Sequence, residues 1–345
     1  MTAATALRDR PIAAWLFACC LLIFAMVVLG GVTRLTRSGL SIVEWDPIMG
    51  AVPPLSQIQW EQTFDQYKLT PEYRKVNHGM SLPEFKGIFY VEWAHRLLGR
   101  LIGVVFLVPF LYFLVRRRIT RALVPKLTAM LVLGGLQGVL GWYMVKSGLV
   151  DIPRVSPYRL TAHLALAVVV YAYIFWTALG LLRASQPLPP PAGLRRFGAA
   201  VTALIFVMIL SGGFVAGTRA GFVFNSFPLM NGHFFPEGMY ALQPLWVNLF
   251  ENIATVQFNH RALAYLMCIV IPAFWWSAMQ YALPAGTRRA VHLLLGWLAL
   301  QVALGIMTLL YAVPVPLAAA HQAGALVLFS LALYVLHSLR RQRGV

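Results

Sequence analysis

Long apolar stretches alternate with short polar segments along this chain of 345 residues. An α-helix rises about 1.5 Å per residue, so about 20 apolar residues cross the roughly 30 Å hydrocarbon core of a bilayer. Eight stretches are long enough, and we predict that each forms a membrane-spanning helix. They run from Ile12 to Gly31, Ile88 to Val115, Leu127 to Val145, Leu160 to Leu182, Phe197 to Ala216, Phe258 to Tyr281, Ala290 to Ala312 and Ala318 to His337.

The composition agrees with this pattern, because 59% of the residues are hydrophobic, 11% are charged and the mean hydropathy is +0.71. Such values exclude an ordinary soluble domain. The net charge of +17 follows from topology, since fifteen of the 28 Lys and Arg residues become cytoplasmic when the N-terminus is inside. We therefore expect both termini in the cytoplasm, basic segments facing anionic lipid, and no nucleic-acid binding.

Several residues recur in the same order along the chain, which predicts a duplicated unit. The matching pairs are Gly30 with Gly212, Arg37 with Arg219, His95 with His260, Gln137 with Gln301, Gly141 with Gly305, and His163 with His321. Each copy holds an even number of spans, so both cross the membrane in the same sense. We predict two tandem four-helix bundles related by a pseudo-twofold axis, an N-terminal half (1–185) and a C-terminal half (197–345), joined by a cytoplasmic linker (186–196).

Four histidines lie near the same end of the even-numbered spans, and the repeat pairs them within each half. A heme takes two axial nitrogens on opposite faces of a planar ring, and two facing helices can supply them. We predict one heme in each half, held by His95 with His163 and by His260 with His321. Small residues four positions after each histidine leave room for the ring, and they are Gly99, Ala167, Ala264 and Ala325.

The structural alternative is that small residues serve helix packing alone and that a buried histidine merely bonds to its neighbours. Four repeated histidines favour function, because ionisable groups in a bilayer are costly. Zinc is the weaker alternative, since it prefers four close N or S ligands and no Cys or Asp accompanies these pairs. The remaining histidines are predicted to be solvated or interfacial, and they are His78, His233, His292 and His337.

The two halves differ beside the first histidine of each. Glu92 precedes His95 by three residues, whereas Gln257 precedes His260. A carboxyl beside a porphyrin can accept a proton or stabilise developing positive charge, which predicts a catalytic N-terminal half and an electron-transfer heme in the C-terminal half. The structural alternative for Glu92 is a buried carboxylate that hydrogen-bonds near the N-terminal turn of its helix.

Arginines at repeat-related positions are candidates to bind the anionic heme propionates, although they would serve equally as anchors at the outer interface. They are Arg37, Arg96, Arg219 and Arg261. The outside loops also hold tryptophans that suit either an interfacial belt or a lid over heme, namely Trp45, Trp60 and Trp246.

Three runs of this sequence resemble heme A synthases, most closely the proteobacterial branch near the mitochondrial enzyme. They extend from Gly30 to Ser41, from Val91 to Arg100 and from Phe258 to Arg261, and the similarity covers about Trp15 to His337. That family oxidises the C8 methyl of heme O to the formyl group of heme A for cytochrome oxidase. The resemblance implies an oxidoreductase of the bacterial inner membrane.

The resemblance also implies roles for the residues singled out above. Substrate heme O would lie at His95 and His163, heme b would lie at His260 and His321, and Glu92 would match the essential carboxylate of the family. The implied partners are heme O synthase, cytochrome oxidase assembly factors, an electron donor that the sequence does not identify, and a second copy of the chain. Some bacterial members carry a cysteine pair in outside loops, whereas here all cysteines fall in apolar spans, namely Cys19, Cys20 and Cys268.

Two other classes of membrane protein lead to different expectations. A diheme cytochrome b that acts only in electron transfer also uses histidine pairs, but it has no need for the difference between Glu92 and Gln257. A transporter built on parallel repeats places polar residues at the bilayer midplane rather than near one face. Extraction of bound heme separates the first two classes, since a cytochrome returns heme b alone.

Overall fold

The structure is a computed structural model that describes residues 3–44, 49–149, 153–182 and 192–340. Within these ranges the fold is helical and contains no strand. The helices are α1 (Ala3–Leu35), α2 (Gln57–Lys68), α3 (Pro71–Lys75), α4 (Leu82–Val115), α5 (Val124–Gly148), α6 (Pro157–Leu182), α7 (Ala192–Thr218), α8 (Ile253–Met279), α9 (Ala285–Leu310) and α10 (Val315–Ser338).

Eight of these helices, all except α2 and α3, are long and apolar enough to cross a membrane. The prediction of an all-α integral membrane fold with eight spans is therefore confirmed. The arrangement as two pseudo-twofold-related bundles and the boundary at 186–196 stay predictions. Residues 183–191 lie outside the described residues, and Ala192 already belongs to α7.

Local backbone chemistry shifts several helix ends from their predicted positions. α4 begins at Leu82, six residues earlier than predicted, because the backbone N–H of Ser81 donates to the carboxylate of Glu84 at 2.8 Å and closes the first turn. α9 ends at Leu310, although Ala312 was predicted inside the span, because Ala312 adopts a left-handed conformation with φ of +56°.

Packing divides the chain into two compact units. One unit comprises the residues up to Leu21 and those from Val168 onward. In this unit α7 packs against α8, α8 against α9, α9 against α10 and α10 against α7, so these four helices close a ring. The end of α6 joins the ring through a 2.7 Å hydrogen bond between the hydroxyls of Tyr171 and Ser330.

The other unit, from Leu22 to Ala167, contains α4 packed against α5 and a small helical cap made of α2 and α3. The cap has an aromatic core in which the rings of Trp60 and Phe89 meet edge to face, with centroids 4.9 Å apart. Trp60 is 5% exposed and is a core residue of the cap rather than an interfacial belt residue. Trp45 lies outside the described residues, and Trp246 is exposed.

Candidate functional site

Each of the four predicted histidine ligands packs a ring edge against a glycine of the preceding membrane helix. A methyl group built on that glycine would approach Cε1 of the histidine, and in three of the four pairs it would come closer than ordinary contact allows. The four distances are 3.0 Å for Gly30 and His95, 2.9 Å for Gly141 and His163, 3.4 Å for Gly212 and His260, and 2.8 Å for Gly305 and His321.

The structure brings together the histidines that the repeat paired. The imidazoles of His95 and His163 are close enough to interact electrostatically, and so are those of His260 and His321. Nδ1 of His95 and Nδ1 of His163 are buried and make no hydrogen bond. Buried polar atoms without partners are uncommon in folded proteins and therefore mark these rings as candidates for ligand binding.

A glutamine supports the second histidine of each pair through a hydrogen bond to its backbone carbonyl. The side-chain amide of Gln137 donates to the carbonyl oxygen of His163 at 3.0 Å, and that of Gln301 donates to the carbonyl oxygen of His321 at 2.8 Å. The amide nitrogen of Gln137 also lies 3.3 Å from Nε2 of His163, and that of Gln301 lies 3.1 Å from Nδ1 of His321. The sequence repeat contains both glutamines but gave no indication of this contact.

The donor set fits heme better than an isolated metal ion. Among the described residues, no group of three or more His, Cys, Asp or Glu side chains could hold a metal. Each unit offers two imidazoles, which is the number of axial ligands that a heme requires because the macrocycle supplies the other four nitrogens. The glycine behind each ring leaves no side chain between the imidazole and the preceding membrane helix.

Glu92 is a buried carboxylate that receives hydrogen bonds from several donors. One oxygen accepts from the backbone N–H and the hydroxyl of Ser41, at 2.7 and 2.8 Å, and from the backbone N–H of Ile42 at 2.9 Å. The other oxygen pairs with the guanidinium of Arg96 at 2.7 Å. An acceptor surrounded by donors is the arrangement that an ionised carboxylate needs. Glu92 therefore anchors the loop after α1 to α4, a contact different from the predicted helix-turn alternative.

The corresponding position in the other half makes a weaker set of contacts. The side-chain amide of Gln257 donates to the carbonyl oxygen of Phe224 at 3.1 Å, and its amide oxygen is buried without a partner. At the repeat offset that relates Gly30 to Gly212, Ser41 corresponds to Val223, which has no hydroxyl. The serine and the carboxylate are therefore both replaced in the C-terminal half.

The four predicted propionate ligands fall into two geometric classes. Arg96 donates to the carbonyl oxygen of Ile42 at 2.9 Å, and Arg261 donates to that of Phe224 at 2.9 Å, so both guanidinium groups bind equivalent loops. Arg37 and Arg219 both adopt left-handed backbone conformations, with φ of +55° and +59°. Non-glycine residues rarely adopt this conformation, and when they do they often lie at functional sites.

The four remaining histidines do not all have the predicted surroundings. His292 is exposed and accepts a hydrogen bond of 2.9 Å from the indole of Trp275. His337 was predicted to be solvated or interfacial, but it is 4% exposed and packs edge to face on Trp176. The prediction for His337 is wrong because the last turns of α10 pack against another helix, and a sequence pattern does not show such a contact.

Comparison with known proteins settles the family. Residues 13–333, which include all four histidines and Glu92, match the family model described as cytochrome oxidase assembly protein. The chain belongs to this family. Its relatives include the heme A synthase of Nitrosospira multiformis, 57% identical over 97% of this chain and 95% of the relative. Those of Parvibaculum lavamentivorans (50% identical, 97% and 96%) and Wolbachia pipientis (43% identical, 97% and 95%) are also similar along their length.

These matches confirm the resemblance stated from the three sequence runs. In this member of the cytochrome oxidase assembly protein family, the matched residues include every histidine and glycine of the four contacts described above. The comparisons do not assign roles to individual residues. The contacts of the histidine pairs, Glu92 and the arginines are the basis on which roles can be proposed.

Proposed function

We propose that this chain is a heme A synthase, an oxidoreductase that converts the C8 methyl of heme O to the formyl group of heme A for cytochrome oxidase. The observation that carries the proposal is the presence of two histidine pairs, each ring backed by a glycine, in a chain whose relatives at 43–57% identity bear that name. We place the protein in the bacterial inner membrane with both termini in the cytoplasm. Heme O synthase and cytochrome oxidase assembly factors are the proposed partners.

The two halves have different tasks in this proposal. His95 and His163 hold the substrate heme O, and His260 and His321 hold a resident heme b. When bound, heme b supplies one-electron transfer. The glycine behind each ring fixes its position, and the amides of Gln137 and Gln301 fix the backbone of the second histidine of each pair.

Glu92 is the proposed catalytic residue, because only the N-terminal half has a carboxylate at this position. Oxidation of a methyl to a formyl group passes through an electron-poor carbon, which a nearby negative charge stabilises. Both oxygens of Glu92 already accept hydrogen bonds, from Ser41, Ile42 and Arg96. These contacts favour charge stabilisation over proton abstraction, because a charge acts without giving up a hydrogen bond.

The arginines are proposed to bind propionates, with a distinction between the two classes. Arg96 and Arg261 bind loop carbonyls and thereby shape the outer rim of each site. Arg37 and Arg219 follow α1 and α7 in matching left-handed turns, and we propose that their guanidinium groups provide the direct contact. Guanidinium pairs well with carboxylates because it offers parallel donors.

The test is expression in cells that make heme O but lack their own heme A synthase, followed by extraction and mass analysis of the hemes. The wild-type chain should produce heme A, and the purified protein should contain heme b. His95→Ala should abolish heme A and retain the heme b spectrum, whereas His260→Ala should remove that spectrum. Cells that make no heme A, with heme b alone in the purified protein, would identify an electron-transfer cytochrome instead.

A further inference from the structure

The first histidines of the two halves have different hydrogen-bonding neighbours. Nδ1 of His260 lies 3.2 Å from the hydroxyl oxygen of Ser211, the residue immediately before Gly212 on α7. The residue before Gly30 on α1 is Leu29, which has no polar side-chain atom. Nδ1 of His95 is buried and makes no hydrogen bond. The repeat therefore keeps the glycine behind the ring and changes the polar group beside it.

The hydroxyl of Ser211 contacts a histidine of another helix rather than a backbone carbonyl of its own helix. Hydroxyl groups in membrane helices often donate to the carbonyl one turn earlier. Thr202 does so on the same helix, with 2.8 Å to the carbonyl oxygen of Gly198. The hydroxyl of Ser211 lies instead against an imidazole nitrogen on the neighbouring helix.

The hydroxyl oxygen of Ser211 can accept a hydrogen bond from the Nδ1–H of His260. In histidines that bind metal, the N–H of the other ring nitrogen commonly donates a hydrogen bond to such a partner. This bond fixes the tautomer and the ring plane and raises the basicity of the ligating nitrogen. Leu29 offers His95 no such bond.

At the second histidine of each pair, Gln137 lies beside Nε2 of His163, whereas Gln301 lies beside Nδ1 of His321. Nδ1 therefore has a polar neighbour in both histidines of the C-terminal half and in neither histidine of the N-terminal half.

We propose that Ser211 is a positioning residue that holds His260 for permanent binding of heme b, and that Leu29 leaves His95 as the weaker ligand of an exchangeable heme. The proposal rests on the proposed function, in which the heme at His95 is a substrate and leaves after each turnover. The hydrogen bond thus distinguishes a resident cofactor from a substrate in two sites of similar construction.

The test uses the purified full-length protein and measures transfer of heme b to apomyoglobin together with the reduction midpoint potential. Ser211→Ala should weaken heme b binding about 10- to 100-fold, the usual cost of losing such a partner, and should therefore release heme b faster. Its midpoint potential should rise, because a less basic ligand stabilises the oxidised iron less. Ser211→Thr retains a hydroxyl and should restore both values. Release and potential equal to wild type in Ser211→Ala would overturn the proposal.

If Ser211→Ala does not fold, the reciprocal variant Leu29→Ser tests the proposed role of the hydroxyl beside the first histidine. A serine before Gly30 should increase the amount of heme O or its oxidised products that copurifies with the protein, and unchanged retention would also overturn the proposal. Failure of the proposed function has a different signature: wild-type protein without heme b, or heme b that persists in both His260→Ala and His321→Ala.

Discussion

The contact between Gly305 and His321 offers the most direct test of how the heme b site is built. A methyl group at position 305 would lie 2.8 Å from Cε1 of His321, whereas ordinary contacts begin at 3.4 Å. Gly305→Ala therefore requires the imidazole or α9 to move by about 0.6 Å, the difference between these two distances. Binding sites tolerate displacements of only about 0.5 Å before they lose function.

The cost of this displacement can be converted into a loss of heme. Overpacking a filled site costs about 1–3 kcal/mol. Since about 1.4 kcal/mol corresponds to a tenfold change in affinity, heme b should bind about 5- to 150-fold more weakly in Gly305→Ala. The assay is the heme b content per purified chain from absorbance spectra, followed by competition with apomyoglobin.

The matched control is Gly212→Ala, which makes the same substitution behind the other heme b ligand. There the methyl group would lie 3.4 Å from Cε1 of His260, an ordinary contact, so the heme b content should be retained. In the other half, the methyl group of Gly141→Ala would lie 2.9 Å from His163, so that variant should lower heme A without affecting heme b. Full heme b in Gly305→Ala, or an equal loss in Gly212→Ala, would refute the reasoning.

Three further predictions address catalysis, stability and topology. Glu92→Gln should lower the amount of extracted heme A by about 100-fold or more, as expected when a charge stabiliser is lost. The control Ser41→Ala keeps the charge and should lower heme A much less. Equal losses of heme A in the two variants would make anchoring of the loop the only role of Glu92. Burial raises the pKa of Tyr67 from 10.0 to about 12. The contribution of this shift to folding stability is therefore complete below pH 10 and is lost as the pH rises through 12. Tyr67→Phe should remove this part of the pH dependence of thermal unfolding. Reporter fusions should be cytoplasmic at Arg118 and periplasmic at Gly232, and the reverse result would contradict the assigned orientation.

The eight spans were predictable because a bilayer fixes the apolar length that each helix needs. α2 and α3 were missed because they lie in the polar segment before the second span. Their sequence signals are local: Ser56 and Gln59 form a capping box, and Thr70 precedes a proline at the start of α3. Such signals are short, and they are visible in the sequence of this segment.

The histidines and Glu92 could be found from the repeat, but their partners could not. The contact of Gly305 with His321 depends on how two helices rotate against each other, and residue spacing does not determine that rotation. Ser41 and Glu92 are separated by 51 positions, and only the folded loop brings them together. The difference between Glu92 and Gln257 was visible in the sequence. The accompanying change from Ser41 to Val223 can be interpreted only once the contact between Ser41 and Glu92 is known.

The glycine contacts also have a mechanical consequence. Each histidine ring rests on the main chain of the preceding membrane helix, so no side chain between them can absorb a change in helix spacing. The coupled pairs are α1 with α4, α5 with α6, α7 with α8, and α9 with α10. A lateral displacement of either helix is passed directly to the imidazole. A change in bilayer thickness that alters helix tilt would therefore also change the orientation of the histidine ligands.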